Sequence, residues 1–206
     1  MKPNEKNVVI TSAVRTPVGT LGGSLRNIQG HILGSVVIKE VLKRSKIKSN
    51  DVDEVIMGQV LTGSAGQNPA RQAAIQAGLP IDKTAYVINQ VCGSGLRSVA
   101  AGYQAIMSND ANIIVAGGQE IMSNAPHAIN IRDGQKLDQS KLVDTMIKDG
   151  LWDAFNGYHM GITAENVASK WQITRKDQDN FALSSQIKAE NAQNCLLYTS
   201  DAADDT

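Results

Sequence analysis

The first 118 residues of the sequence alternate between short apolar runs and stretches in which apolar residues recur at helical spacing. Short runs rich in Val and Ile are typical of buried strands. The predicted strands are residues 7–13, 52–61, 85–91 and 112–116, and the predicted helices are residues 31–44, 68–77 and 94–107. Strands without polar alternation belong in a parallel sheet covered on both faces by helices, so we predict an α/β layered fold.

Pro and Gly residues mark the ends of several of these segments. Pro17 follows the first predicted strand, and Pro69 lies in the first turn of the second predicted helix. Gly78 lies just past the end of that helix. Gly117 and Gly118 are expected to close the fourth strand.

Composition excludes several classes of protein. A chain of 206 residues with 42% hydrophobic residues can bury a sizeable core, and its 20 Lys and Arg balance its 20 Asp and Glu. We therefore expect no nucleic-acid partner, and no apolar run is long enough to predict a membrane span. The two cysteines, Cys92 and Cys195, lack metal-ligand spacing, and no basic segment followed by an apolar one opens the chain, so a signal peptide is not expected. A cytoplasmic protein without a metal site is the expectation.

The chain changes character after Gly118. Residues 120–158 mix polar residues and glycine with only short apolar runs, and so long an irregular stretch is usually a lid or a binding segment. Helical periodicity returns at residues 163–170 and 174–192. Thr174 and Asp177 have the spacing of a capping box at the start of the second of these helices.

The heptad of residues 91–97, VCGSGLR, lies between a predicted strand and a predicted helix. A thiol at that junction meets the free amides and positive dipole of a helix N-terminus, which favour the nucleophilic thiolate. Gly93 and Gly95 permit a sharp turn and close approach by a bulky substrate. On spacing alone, a buried structural cysteine is the alternative, since free Cys is among the most buried residue types.

The segment VCGSGLRSV resembles the active-site segment of the thiolases. The resemblance extends through SAVRTPVGTLGGSL, VDEVIMGQVLTGSAGQNPARQAA, IIVAGGQEIMSNAP, KLVDTMIKDGLWDAFNGYHMGITAEN and DNFALSSQIKAE, in family order. It covers residues 7–194. It implies a thiolase-like layered fold, here incomplete, with an α/β domain at residues 1–119 that lacks its last strand. Residues 120–194 would be part of the loop domain that thiolases insert, carrying tetramerisation and substrate-pocket segments.

The resemblance also implies a chemistry. Cys92 would accept an acyl group from acyl-CoA, and a second acyl-CoA would then attack the thioester, so that two acetyl-CoA give acetoacetyl-CoA and CoA, or the reverse. Leu151, His159 and Met160 would contact substrate, with His159 in a binding role and not as a catalytic base. By itself His159 would more often be a surface or core histidine without a functional role, because nothing nearby in sequence pairs with it. Coenzyme A thioesters would be substrates, with no cofactor, and the full-length protein a homodimer or homotetramer.

The chain departs from the thiolase pattern in its second half. The histidine that activates Cys92 and the second, proton-exchanging cysteine are expected beyond these residues. Cys195 lacks the glycine-rich neighbours of that second cysteine, and residues 195–206 resemble a translated sequencing adaptor, hence a non-native tail; a natural short tail is the alternative. Losing such an acid or base costs about 10²–10⁴-fold in rate, so we expect this chain alone to be inactive. We also expect it to aggregate or remain partly folded.

Two other functions remain open at this point. A ketoacyl synthase shares the fold and the cysteine nucleophile, although GQNPARQAA and NGYHMGITAEN argue against it. A non-catalytic protein that binds acyl-CoA or another subunit is the second alternative. Acylation of Cys92 by a CoA thioester would distinguish a catalytic protein from a scaffold.

Overall fold

The computed structural model of the protein describes residues 7–132, 134, 136, 138 and 141–194. Its first part contains three helices and three strands in alternation. These are α1 (Gly30–Ser45), β1 (Glu54–Gly58), α2 (Pro69–Gln76), β2 (Thr84–Ile88), α3 (Ser94–Met107) and β3 (Ile114–Gly118). All three predicted helices and the last three predicted strands are confirmed. β1 and β2 are shorter than the sequence indicated, and β3 has the predicted length but lies two residues later.

The three strands form one parallel sheet in the order β2-β1-β3. Val55 of the central strand pairs with Ala85 on one side and Val115 on the other. Because the strands are parallel, their carboxyl ends all meet at the same edge of the sheet. Residues that follow β1, β2 and β3 are therefore neighbours in space.

Helices cover both faces of the sheet, as the apolar strands predict. On one face, Val55 and Met57 of β1 pack with Ile38 and Leu42 of α1 and with the alanines of α2. On the other face, Gly102 of α3 lies over Ile114 and Ala116 of β3. Strand β1 is buried by both layers, which explains why its side chains are apolar in succession.

The prediction of a strand at residues 7–13 is wrong. These residues belong to no strand in the described part of the chain. They line a cavity of about 580 Å³ together with residues of β3, α1 and α3. A β-branched run becomes a strand only when a neighbour supplies ladder hydrogen bonds, and no pairing of this run with β3 is present among the described residues.

The end of the fourth predicted strand also differs from the sequence prediction. Gly117 and Gly118 do not end the fourth predicted strand but form its last two residues. The ladder continues because Gly117 pairs with Met57 and Gly118 with Gly58. A Cβ at Gly118 would lie 3.3 Å from the Gly58 carbonyl oxygen and 3.6 Å from Cα of Gly95, so α3 and β1 approach this strand too closely for a larger residue.

The region after β3 contains short elements followed by two helices. β4 (His127–Ala128) pairs antiparallel with β5 (Val143–Asp144), and a π-helical turn follows at Met146–Leu151. The helices are α4 (Met160–Lys170) and α5 (Arg175–Asn194). The capping box is confirmed: the Asp177 amide donates to the Thr174 hydroxyl, and the Thr174 amide donates to the Asp177 carboxylate.

None of the described helices is both long enough and apolar enough to cross a lipid bilayer. The predicted tail, residues 195–206, lies outside the described residues.

Candidate active site around Cys92

Cys92 lies in the turn between β2 and α3, at the carboxyl edge of the sheet. Its side chain is exposed, and the thiol is free. The helix begins two residues later at Ser94, with Gly93 at the N-cap position. The strand-to-helix junction predicted for the motif is confirmed, whereas the alternative of a buried structural cysteine is not supported by this exposure.

Val91, immediately before Cys92, has φ of 50°. This is the left-handed region, which a β-branched residue adopts only under strain of about 1–3 kcal/mol. The Val91 amide donates to the Asn89 side-chain oxygen at 2.9 Å, and the Gly93 amide donates to the Gln90 carbonyl at 3.1 Å. These bonds form a tight turn that carries Cys92 at its tip.

Ser94 closes this turn from inside. Its hydroxyl accepts a hydrogen bond from the Gln90 amide at 2.8 Å and donates one to the Val91 carbonyl at 2.6 Å. Ser94 is only 4% exposed, because the start of α3 lies directly against Gly58 of β1. A Cβ on Gly58 would lie 2.5 Å from the Ser94 carbonyl carbon, so only glycine permits this approach.

A polar network joins the ends of β1 and β3 next to this turn. The Gln119 side chain donates to the Gln59 side-chain oxygen at 2.9 Å, and Gln59 donates to the Leu61 carbonyl at 3.0 Å. The Glu120 carboxylate accepts from the Val60 amide at 2.8 Å and, more weakly, from the Leu61 amide. The loop after β1 is therefore fixed to the end of β3.

Gln119 is packed tightly against helix α1. Its side-chain oxygen is buried, and among the described residues it has no hydrogen-bond partner. A Cβ on Gly34 would lie 1.9 Å from that oxygen, so a larger residue at this position of α1 would force the Gln119 side chain to move. The sequence motifs did not indicate this network, although polar residues directly after two apolar parallel strands are a signal that could have found it.

Leu151, His159 and Met160 lie together in the region after β3. Leu151 ends the π-helical turn, and the next residue, Trp152, forms a bridge with His159. Leu61, which is held by Glu120, would be 3.8 Å from a Cβ on Gly150, so this turn lies against the loop after β1. The three predicted substrate residues are thus close together, but no hydrogen bond within the described residues joins them to Cys92.

His159 has a local structural partner that the sequence analysis missed. It is the N-cap residue of α4, and its Nδ1 accepts a hydrogen bond from the Gly161 amide at 3.0 Å. The helix starts at Met160, earlier than the predicted residue 163. A neutral imidazole nitrogen is an uncommon cap acceptor, so propensity rules that favour Ser, Thr, Asp and Asn did not indicate it.

Asp153 shapes the loop that precedes His159. Its carboxylate accepts hydrogen bonds from the Asn156 side chain and from the amides of Asn156 and Phe155. The Asn156 side chain first, and then these amides, hold the pKa of Asp153 below its usual value. Its own amide donates to the Tyr158 carbonyl at 2.8 Å, which closes the loop. Phe155 at its tip is 97% exposed.

Within the described residues no group of three His, Cys, Asp or Glu side chains could hold a metal ion.

A family profile and several similar proteins point to the same family. The sequence profile described as thiolase, N-terminal domain, matches residues 8–201. The acetyl-CoA acetyltransferase of Paracoccus denitrificans is 61% identical over 185 residues, which is 90% of this chain and 47% of that protein. The acetyl-CoA acetyltransferase of Cupriavidus necator is 61% identical, over 91% of this chain and 48% of its own length. The cytosolic acetyl-CoA acetyltransferase of Rattus norvegicus is 50% identical, over 94% of this chain and 49% of its own length.

The chain spans about half the length of these relatives. Nearly all of it is covered by the alignments, and the profile match includes the Cys92 turn, the sheet and helices α1 to α5. The protein is therefore a member of the thiolase family and corresponds to its N-terminal domain.

Proposed function

We propose that this chain is the nucleophile-bearing half of an acetyl-CoA acetyltransferase. The longer protein condenses two acetyl-CoA to acetoacetyl-CoA and CoA, or catalyses the reverse thiolysis, through an acyl-enzyme on Cys92. The observation that carries this proposal is the position of the Cys92 thiol, which is exposed at the tip of a strained turn directly before helix α3.

The chemistry proceeds in two covalent steps. The Cys92 thiolate attacks the thioester carbonyl carbon of acetyl-CoA, and the tetrahedral oxyanion collapses to expel the CoA thiolate, which takes up a proton. In the second step, the α-carbon of another acetyl-CoA loses a proton to a base and attacks acetyl-Cys92. The new carbon–carbon bond forms as the Cys92 thiolate leaves and acetoacetyl-CoA is released.

The amide of Cys92 supports the oxyanion in this scheme. It lies at the tip of the turn that precedes the N-cap of α3, and the side chain of its residue is exposed. A preorganised donor of this kind is worth about 10²–10³-fold in rate. A second donor, the histidine that activates Cys92 and the proton-exchanging cysteine are proposed to come from the part of the relatives that this chain does not span.

We assign substrate contact to Leu151, His159 and Met160. Their region lies against the loop after β1, at the edge of the sheet that carries Cys92. Leu151 would contact the pantetheine arm, and His159 with Met160 would line a short acyl pocket. Coenzyme A thioesters are then the substrates, and no separate cofactor is proposed.

The cavity beside β3 supports the proposal that residues 1–119 lack one strand. Val8, Val9 and Ile10 line this cavity together with Ile114, Val115 and Ala116 of β3 and with apolar residues of α1 and α3. A strand inserted between them would pair with β3 and give residues 7–13 the neighbour they lack. We propose that the remainder of the longer protein supplies it, that this protein acts as a cytoplasmic homodimer or homotetramer, and that residues 120–194 contribute to the tetramer.

The test is acetylation of Cys92. The chain is incubated with acetyl-CoA, alone and after co-expression with the second half of the Paracoccus denitrificans relative, and each cysteine peptide is analysed by mass spectrometry. We expect acetylation at Cys92, none in Cys92→Ala, and no effect of Cys195→Ala. Acetylation should be slow for the chain alone and about 10²–10⁴-fold faster with the second half, which would supply the missing base.

The same experiment distinguishes the two alternative functions. A ketoacyl synthase would transfer acyl groups to Cys92 from a carrier-protein thioester and would be insensitive to free CoA. A non-catalytic acyl-CoA-binding or scaffold protein would leave Cys92 unmodified even with the second half present, and this result would overturn the proposal.

A further inference from the structure

The Ser94 hydroxyl is placed to control the geometry of the residue two positions before it. It contacts Gln90 and Val91 on the strand side of the turn, and its own backbone begins α3 on the helix side. Its single proton is used for the Val91 carbonyl at 2.6 Å, and one lone pair is used for the Gln90 amide at 2.8 Å. Cys92 is thus enclosed in a loop whose two ends are joined by one side chain.

The turn needs such a clamp because Val91 is strained. A non-glycine residue in the left-handed region persists only where the surrounding structure over-determines it. Val91 itself is 49% exposed, so packing of its side chain does not hold the conformation. The hydrogen bonds that hold it are those of its carbonyl, which accepts from both the hydroxyl and the amide of Ser94, and that of its amide to Asn89.

The Ser94 hydroxyl bonds to the turn from its buried side. Ser94 is 4% exposed, and Gly58 of β1 lies directly against its backbone. Removal of the oxygen would leave the Gln90 amide without its protein acceptor and the Val91 carbonyl with one protein donor fewer. The relaxation open to the turn is rotation of Val91 towards negative φ, which moves Cys92 away from the start of α3.

We propose that Ser94 is a positioning residue for Cys92, holding the strained turn that presents the thiol at the N-terminus of α3. The proposal deepens the proposed function and rests on it for the consequence to acyl transfer. Ser94 does not touch the substrate in this scheme; it acts through Val91.

Ser98 provides a matched control on the same helix. It is fully buried, and its hydroxyl lies 2.6 Å from the Gly95 carbonyl and 2.8 Å from the Gly117 carbonyl. Ser98→Ala therefore removes a buried hydroxyl from α3 at similar burial without touching the turn. Val91→Gly provides the rescue, because glycine adopts positive φ without strain.

The experiment measures peptide-resolved alkylation of Cys92 by iodoacetamide, and acetylation by acetyl-CoA, in the full chain co-expressed with the second half. In Ser94→Ala we expect both rates at Cys92 to fall, and the acetylation rate to fall by about tenfold or more, because misplacement of a reacting group by about 1 Å can cost up to about 10²-fold. The acetyl-CoA concentration that half-saturates acetylation should not change. Ser98→Ala should stay within about threefold of the wild type, and Val91→Gly with Ser94→Ala should recover most of the loss.

Two results would overturn the proposal: an unchanged alkylation rate in Ser94→Ala, or a loss that Val91→Gly does not recover. If Ser94→Ala does not fold, the single variant Val91→Gly is compared with the double variant Val91→Gly/Ser94→Ala. Glycine removes the strain, so we expect the two variants to have equal alkylation rates at Cys92. Unequal rates would contradict the proposal. Alkylation needs no enzymatic activity. If the wild-type chain is alkylated but never acetylated at Cys92, the proposed function is therefore contradicted, whereas the positioning role of Ser94 is not.

Discussion

Gly58 of β1 and Ser94 of α3 are so close that a Cβ on Gly58 would lie 2.5 Å from the Ser94 carbonyl carbon and 2.6 Å from the Gly95 nitrogen. The start of α3, and with it the Cys92 turn, is set by this contact between the backbones. Residues of the sheet therefore control the position of the thiol without touching it.

Gly58→Ala is expected to displace the start of α3. The clash is with backbone atoms, which cannot rotate away, so a cost of about 1–3 kcal/mol in unfolding free energy is expected. Urea denaturation at low protein concentration measures this cost, and the alkylation rate of Cys92 should fall with it. Gly95→Ala is the control: a Cβ there meets nothing within 4 Å, and a helical alanine should be neutral or stabilising. If Gly95→Ala lowered the unfolding free energy more than Gly58→Ala does, the contact between Gly58 and Ser94 would not be what sets the start of α3.

Gly34→Ala should be destabilising through Gln119. The new methyl would occupy the place of the buried Gln119 oxygen, and the movement of Gln119 that this forces is expected to disturb its bond to Gln59. We expect a loss of about 1–3 kcal/mol. The effect should be strongly non-additive with Gln119→Ala, because a shortened side chain removes the clash. Denaturation of both single variants and the double variant completes the cycle; simple additivity would show that the clash is relieved elsewhere.

The loop before His159 should depend on acid pH through Asp153. Hydrogen bonds from Asn156 and Phe155 lower the pKa of Asp153 in the folded chain. These bonds therefore stabilise the folded loop fully above the usual pKa of 3.8, and this stabilisation is lost as the pH falls through the lower folded pKa. The amide resonances of Phe155 and Asn156 should titrate with a midpoint below 3.8. Asp153→Asn should abolish that titration. A midpoint at or above the usual value would show that these bonds do not form in solution.

His159→Asn separates helix capping from substrate binding. Asparagine is among the best N-cap residues and keeps an acceptor for the Gly161 amide, so α4 should stay intact. His159→Ala should instead cost about 1 kcal/mol of helix stability. Because we propose that the imidazole also contacts substrate, His159→Asn should raise the acetyl-CoA concentration needed for acetylation of Cys92 while hydrogen exchange in α4 is unchanged. If His159→Asn were acetylated at the same acetyl-CoA concentrations as the wild type, His159 would act only as the N-cap of α4 and would not contact substrate.

The chain alone should self-associate. Large apolar side chains such as Leu96, Phe155, Trp171 and Phe181 are each more than two-thirds exposed. The edge of β3 at the cavity is also unpaired and could pair with another chain. Sedimentation velocity should show a series of oligomers that grows with concentration, and co-expression with the second half should replace this series with one discrete dimer or tetramer. A chain that stays monomeric at all concentrations and melts in one sharp transition would contradict this expectation.

Much of the fold follows from local sequence alone. The apolar runs and helical periodicities predict six of the elements of the α/β layer, and α3 has the predicted boundaries. The capping box of Thr174 and Asp177 forms because all its atoms lie within one turn of chain. The place of Cys92 between strand and helix is likewise a local property, set by the residues on either side of it.

Other features depend on contacts between distant parts of the chain. Residues 7–13 have the composition of a strand, yet strand formation needs a partner's backbone, and composition does not specify a partner. Gly117 and Gly118 continue β3 although glycine usually ends a strand, because β1 pairs with them. The links between Gly34 and Gln119 and between Gly58 and Ser94 are equally non-local.

The sequence by itself determined the family, the α/β class and the identity of the exposed thiol, since motif, periodicity and capping act over a few residues. Only the tertiary structure decided how that thiol is held, because the strain at Val91 and the close approach of α3 to β1 are relations between backbones. Such relations arise when elements far apart in sequence pack together, and no short stretch of the chain contains them.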